Sequence, residues 1–482
     1  MPLANSITPK RINKLGVFRF SLSVLLTTAL LPAFSQDNSP YSRYGLGDLV
    51  PGTNANSRGM GGIAAGITDL PAPFTINYSN PASYSFFQAS RELKSKKLAA
   101  GRAILDVGIN LDNRTLVEPN NTEKFGTSNL LFSHIQIGVP LRRNWGLSFG
   151  IRPVSRISYK IISTQRLINP NTGQSIDTAG TLNEGTGGSY LPNIGTGFRF
   201  DFGNDSIVGK KHTLAFGFGA GYLFGSKDIA TRRFFLNDTV SYNAGNYQSQ
   251  LSYGNIIFNG GLQYIRRFNR DYELTIGGYG NLKRTLNGSQ DVIRETYFYD
   301  ESQGNVRIDS VSDEKDVKGK IIYPSSFTVG FVLHRNLNME EKAADWLVGV
   351  DFVRNNWDQY RVYGSADPTV KSNWQIRVGG QLRPLPRQNY FSNIAYRAGF
   401  FLGPDYVQVD NRKLNTWGAT LGFGLPLVNY SRTTAPNQFT VINLAFEYSR
   451  RGNNESLLKE NLFRISAGLS LSDLWFIKRK YD

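Results

Sequence analysis

The chain has 482 residues, with 54 Lys and Arg against 37 Asp and Glu, and no cysteine. Lack of cysteine excludes a disulfide scaffold, a thiolate metal site and a lipoprotein anchor. The formal charge of +17 asks for an anionic counterpart. No basic run with interleaved aromatics forms a nucleic-acid surface, so anionic lipid headgroups are the expected one and no nucleic acid is.

Lys10, Arg11, Lys14 and Arg19 precede an apolar stretch from Phe20 to Leu31, and Ala33-Phe34-Ser35 supplies a small-x-small pattern. This reads as an export signal over residues 1–35, cleaved after Ser35. The apolar stretch is well short of the ~20 residues that a membrane-spanning helix needs. Its loss removes four positive charges and leaves the mature chain near +13. No later segment approaches a spanning helix either.

Residues 36–96 come next and lack long alternation. They contain Tyr41-Ser42-Arg43-Tyr44-Gly45-Leu46-Gly47-Asp48, then Ser57-Arg58-Gly59-Met60-Gly61-Gly62, Asp69, and Asn80-Pro81-Ala82-Ser83-Tyr84. Asn80 is placed to cap a short helical turn, with Pro81 at its first position. The glycines at 59, 61 and 62 allow close backbone approach or positive φ. A phosphate-cradling loop would need a following Gly-Lys-Ser/Thr, which is missing.

Residues 97–482 alternate with period two. In one run Trp417, Ala419, Leu421, Phe423 and Leu425 interleave with Thr416, Gly418, Thr420, Gly422 and Gly424. In another Phe463, Ile465, Ala467, Leu469 and Leu471 interleave with Arg464, Ser466, Gly468, Ser470 and Ser472. One face is apolar and aromatic; the other is small, polar or charged. Such runs fall near 97–112, 127–140, 145–162, 186–202, 212–226, 252–266, 272–286, 321–335, 345–357, 373–383, 389–403, 414–427, 438–451 and 460–475. Each is long enough to hold the roughly 9–11 residues that cross a bilayer at a tilt. The links 141–144, 203–211, 267–271, 336–344, 384–388 and 428–437 are mostly tight, and those between them, such as 163–185, 227–251 and 287–319, are longer and polar. The pattern predicts an all-β fold: a transmembrane antiparallel β-barrel of about fourteen strands in the outer membrane, with an N-terminal hatch. The charged stretch from Asp300 to Lys320 reads as an outer loop.

The motifs carry a resemblance. Arg-Gly-Met-Gly-Gly at 58–62, Asp69 and Asn-Pro-Ala at 80–82 look like the hatch of FadL-like long-chain fatty-acid transporters, fourteen-stranded barrels plugged by their N-terminus. The match covers about residues 41–87; beyond them the likeness is architectural. The resemblance implies passive, porin-like passage of a hydrophobic ligand along Arg58, Gly59, Gly61, Gly62, Asp69, Asn80, Pro81 and Ala82. The superfamily also includes PorV-like barrels of type IX secretion. An accessory barrel with secretion-complex partners is therefore the alternative.

The third strand carries Pro153 in the row Leu147, Phe149, Ile151, Ile157, Tyr159 and Ile161. Proline gives no N–H to a ladder and predicts a bulge or break. In FadL-like transporters a kink in this strand is associated with sideways release, so Pro153 is the candidate lateral gate. Arg152, Arg156 and Lys160 are expected to face inward as carboxylate contacts. The bland alternative is a plain bulge whose arginines pair with hatch acids. His134 and His334 fall on the inward register and His212 at a turn. No spacing assembles a catalytic set, a metal site or a cofactor site, and no enzyme is expected.

Overall fold

The computed structural model describes residues 39–68, 75–87, 102–118, 124–203, 211–236, 243–300, 302, 304–387, 389–409, 412–427, 439–452, 456 and 458–474. The export signal, its cleavage site and Asp69 lie outside these residues.

Fourteen antiparallel strands close on themselves. The first six are β1 (Arg102–Val117), β2 (Lys124–Arg142), β3 (Trp145–Ile168), β4 (Ser175–Phe202), β5 (His212–Phe235) and β6 (Ala244–Arg267). Next come β7, in two stretches (Tyr272–Asn281 and Arg284–Asp300), and β8, likewise split (Gly304–Tyr323 and Ser326–Arg335). The last six are β9 (Asp345–Asn355), β10 (Asn373–Arg383), β11 (Ala395–Val409), β12 (Arg412–Pro426), β13 (Phe439–Arg451) and β14 (Lys459–Leu474). Closure is made by β14 on β1, from Lys459 opposite Val117 to Leu474 opposite Arg102. A closed sheet leaves few backbone groups unpaired in lipid, which is why period-two strands can live in a membrane.

Burial is inverted relative to a water-soluble protein. On β13 the inward Asn443, Glu447, Ser449 and Arg451 are buried, and on β14 the inward Arg464, Ser466 and Ser470. Outward Phe149, Ile194, Phe218, Phe258, Phe331, Val348, Leu421 and Leu469 are exposed. An apolar belt of this extent is stable only against hydrocarbon.

The outer links are shorter than expected. The described residues of 163–185, 227–251 and 287–319 lie mostly in β3 through β8, which continue as ladders past the belt; the link from β3 to β4 is only 169–174. The charged segment after Asp300 is likewise strand, pairing with β7 from Gly304 opposite Asp300 to Tyr323 opposite Arg284. Outside the membrane both faces meet water, so alternation fades while the hydrogen bonds persist.

Candidate functional site

The described N-terminal residues contact the barrel strands near both ends. Ser39 donates to Glu460 Oε2 at 3.1 Å, and the Tyr41 hydroxyl to the Leu458 carbonyl at 2.5 Å, both next to an outer turn. At the other end the Phe87 ring comes within 3 Å of where Cβ atoms on Gly138 and Gly146 would stand, beside the tight β2–β3 turn. Tyr41, Leu46, Trp357, Tyr360, Val370 and Tyr406 form one buried cluster near the outer mouth. The Trp357 and Tyr406 ring centroids are 4.5 Å apart.

The Asn-Pro-Ala motif behaves as its chemistry predicts. Asn80 Oδ1 accepts the Ala82 N–H at 3.1 Å and caps the short 3₁₀ helix Pro81–Phe86. Its amide also donates to the Ala65 carbonyl at 2.8 Å, tying this motif to the glycine motif. In that motif Asn54 caps the single turn Ala55–Arg58 by accepting from Ser57 N–H. Gly61 has φ +69°, and a Cβ there would stand 2.7 Å from the Val378 carbonyl oxygen. Its N–H donates to Thr420 Oγ1 at 2.9 Å. Gly59 meets Gly422, so this stretch touches the strand backbones of β10 to β12 directly.

Arg58 is buried and ion-paired to Glu447. Around it runs a chain of buried charge. Arg464 holds Asp112 through two hydrogen bonds of 2.5 and 2.6 Å. Arg114 reaches Asp48 and Glu460, and Arg451 reaches Asp405 at 2.8 Å. Burial alone would raise the Asp48 pKa, but Arg114, Arg451 and Arg464 outweigh it and hold the carboxyl below its ordinary value. The sequence showed Arg58 and Asp48 but none of their strand partners. Two further anchors went unseen: Asp351 Oδ2 accepts the N–H groups of Ala64 and Ala65 at 2.7 and 2.9 Å, and Asp106 accepts that of Ile76 at 3.0 Å.

Pro153 does mark an irregularity. The β3–β4 register shifts between Pro153 and Ser155. A one-residue bulge flips the facing of everything beyond it, which corrects two expectations. Ile157 and Tyr159 are buried rather than lipid-facing, while Lys160 is exposed rather than lumenal. Arg156 donates across to the Phe132 carbonyl of β2 instead of serving the lumen. Arg152 stays inside, its guanidinium 5.9 Å from the Tyr78 ring centroid. None of the three pairs with an N-terminal acid among the described residues.

The larger feature lies between β2 and β3. Their ladder runs from Arg142 opposite Trp145 to Ile135 opposite Ile151, and no further pair occurs between these strands among the described residues. Beyond it the wall has a seam. From inside, Asp48 and Leu49 pair antiparallel with Arg156 and Ser155 on the open edge of β3. The Val50 N–H adds a bond of 3.0 Å to the Val154 carbonyl. Gly47, at φ +101°, passes so near that a Cβ would stand 2.5 Å from the Arg156 carbonyl oxygen. Behind this latch lie cavities of about 210 and 340 Å³, both lined by Leu49, Val50, Thr53 and Arg377. The first also takes in Arg152, Val154 and Leu191.

Each histidine is engaged by neighbouring side chains. His334 sits between Glu273 (3.1 Å) and Asp345 (3.2 Å). His134 lies at a β1–β2 irregularity, its Nδ1 3.1 Å from Ser133 Oγ and its Nε2 3.4 Å from Asp106. That Asp106 is already committed to Ile76 and Ser470. His212 opens β5 rather than lying in a turn, and contacts the Tyr264 hydroxyl at 2.6 Å.

Among solved structures the chain is similar to the monoaromatic hydrocarbon channel CymD (12% identity, 89% of this chain and 99% of that one, TM-score 0.44). It is also similar to the Ralstonia pickettii toluene transporter TbuX (13%, 89% and 99%, 0.44). A third is a Pseudomonas aeruginosa FadL homologue (14%, 88% and 98%, 0.46). No curated protein sequence matches. The family model described as BamG matches residues 17–482, and the chain belongs to that family.

Proposed function

We propose that this outer-membrane barrel passes hydrophobic small molecules down their gradient, through movement of the N-terminal segment and sideways exit between β2 and β3. The observation that carries the reading is the seam: a break in the barrel wall, latched by Asp48 and Leu49 and backed by a cavity with apolar and cationic walls. The ligand would rest against Leu49, Val154 and Leu191, with Arg152 or Arg377 meeting an anionic head where it has one. Displacing the latch would join cavity and lipid without unpairing another strand. The Arg58–Gly62 and Asn80–Ala82 motifs would set how far the segment moves. Asp69 is part of the same proposal by its motif alone.

The buried ion pairs holding the segment favour a second reading, a stably closed accessory barrel that docks other proteins. Native mass spectrometry of the particle extracted from outer membranes separates the two. The transport reading expects a lone barrel carrying an apolar adduct. A stoichiometric protein partner and no adduct would replace it with the second.

A further inference from the structure

Beyond the latch, two strand edges have no strand partner among the described residues and face each other across the seam. On β3 the edge runs on from Ser158 to Ile168, and on β2 it spans Lys124 to His134. An open edge normally carries devices that discourage pairing. The outer stretch of β8 has them: its ladder to β7 is broken by three register shifts between Arg307 and Val317. The same stretch bears Asp309, Asp313, Glu314, Lys315, Asp316 and Lys318. The β3 edge has no such break and no carboxylate, and its charges are the cations Lys160 and Arg166. Its register to β4 is unbroken from Ser155 to Leu167, and Ile162 and Ile168 are exposed along it.

This edge also takes a strand already, since Asp48 and Leu49 pair with it one step inward. Ser158 shows which groups are on offer. Its N–H donates to Ser42 Oγ and its carbonyl accepts from that hydroxyl, both at 3.2 Å, so both point to the open side. By the alternation of an antiparallel strand, Lys160, Ile162, Thr164 and Arg166 present their N–H and C=O the same way. Charge adds a preference. Lys124, Arg156, Lys160 and Arg166 flank the seam, and neither edge has a carboxylate.

We infer that the outer half of the β2–β3 seam is a docking site for an extended, acidic segment of a partner protein, added as a strand to β3. Main-chain bonds would give affinity and alternate aliphatic side chains would lie beside Ile162 and Ile168. The inference does not depend on ligand transport, since the docking edge lies outward of the latch.

The test uses the full chain in lipid nanodiscs and a short synthetic peptide of alternating valine and glutamate. Binding is expected, with slowed hydrogen exchange confined to the peptide fragments covering β3 beyond Ser158. N-methylation of alternate peptide amides, which leaves the protein untouched, should weaken binding by about tenfold, the worth of lost main-chain hydrogen bonds. Thr164→Pro should do the same, because it removes an outward N–H and spares the β4 ladder. No binding, or binding indifferent to N-methylation, overturns the proposal. So does dimerisation that Thr164→Pro abolishes, which would make the occupant a second copy of this chain.

Discussion

Asp48 pairs through its backbone with Arg156 on the open edge of β3, while its carboxylate reaches Arg114 on β1 and Arg451 on β13. One residue thus joins the seam to the charge network that straddles the β14–β1 closure. Its carboxyl lies below the ordinary value in the folded protein. A depressed carboxylate contributes stability that is complete above its unfolded pKa and fades as pH falls through the folded one. Latch closure, read from a fluorophore at Leu49, should stay flat from neutral pH down to the ordinary carboxylate range and open only below it. Asp48→Asn should remove that acid-side transition and leave the latch looser throughout; an unchanged profile would show that Asp48 does not hold it.

Arg58 and Glu447 form a buried pair. Removing Glu447 leaves Arg58 without its ion-pair partner in the lumen and should cost about 3–5 kcal/mol, whereas replacing both with methionine should recover much of that loss. A double-mutant cycle on thermal unfolding in detergent measures it. Additive effects would mean the pair does not couple the segment to the wall.

Gly61 lies at positive φ with the Val378 carbonyl where a side chain would begin. Gly61→Val should therefore dislodge the glycine motif at about 1–3 kcal/mol and open the segment to protease. Asn80→Ala, which loses both a cap and the Ala65 contact, should cost about 1–2 kcal/mol. Protease resistance equal to wild type in either variant would argue against these anchors.

Pro153 stands at the bulge that ends regular β3 facing. Pro153→Val restores a backbone N–H and should tighten the wall. Uptake of a labelled hydrophobic compound by reconstituted vesicles should fall while barrel folding, read by heat-modifiable gel mobility, is kept. Undiminished uptake would sink the gate.

The membrane strands were legible because lipid outside and water inside impose opposite chemistries on alternate residues, as Leu421 and Thr420 show. The outer extensions of β3 to β8 were not, since strands wetted on both faces need no alternation. The facing of Arg156 and Lys160 was misjudged because a bulge shifts parity without changing composition. The latch left no trace either: Asp48 and Leu49 bind β3 by main-chain groups, which every residue owns. Arg58 could be singled out from its motif, but its partner Glu447 lies 389 residues away.

In the proposed function the latch is the gate. Leu49 and Ser155 are directly opposed in the ladder, a placement that suits a disulfide, and the chain has no other cysteine to interfere. The decisive measurement is uptake of a labelled hydrophobic compound by vesicles holding the Leu49→Cys, Ser155→Cys variant, oxidised and then reduced. Uptake should fall to the level of empty vesicles on oxidation and return with reductant. Full uptake through a barrel shown by mass to be cross-linked would contradict this.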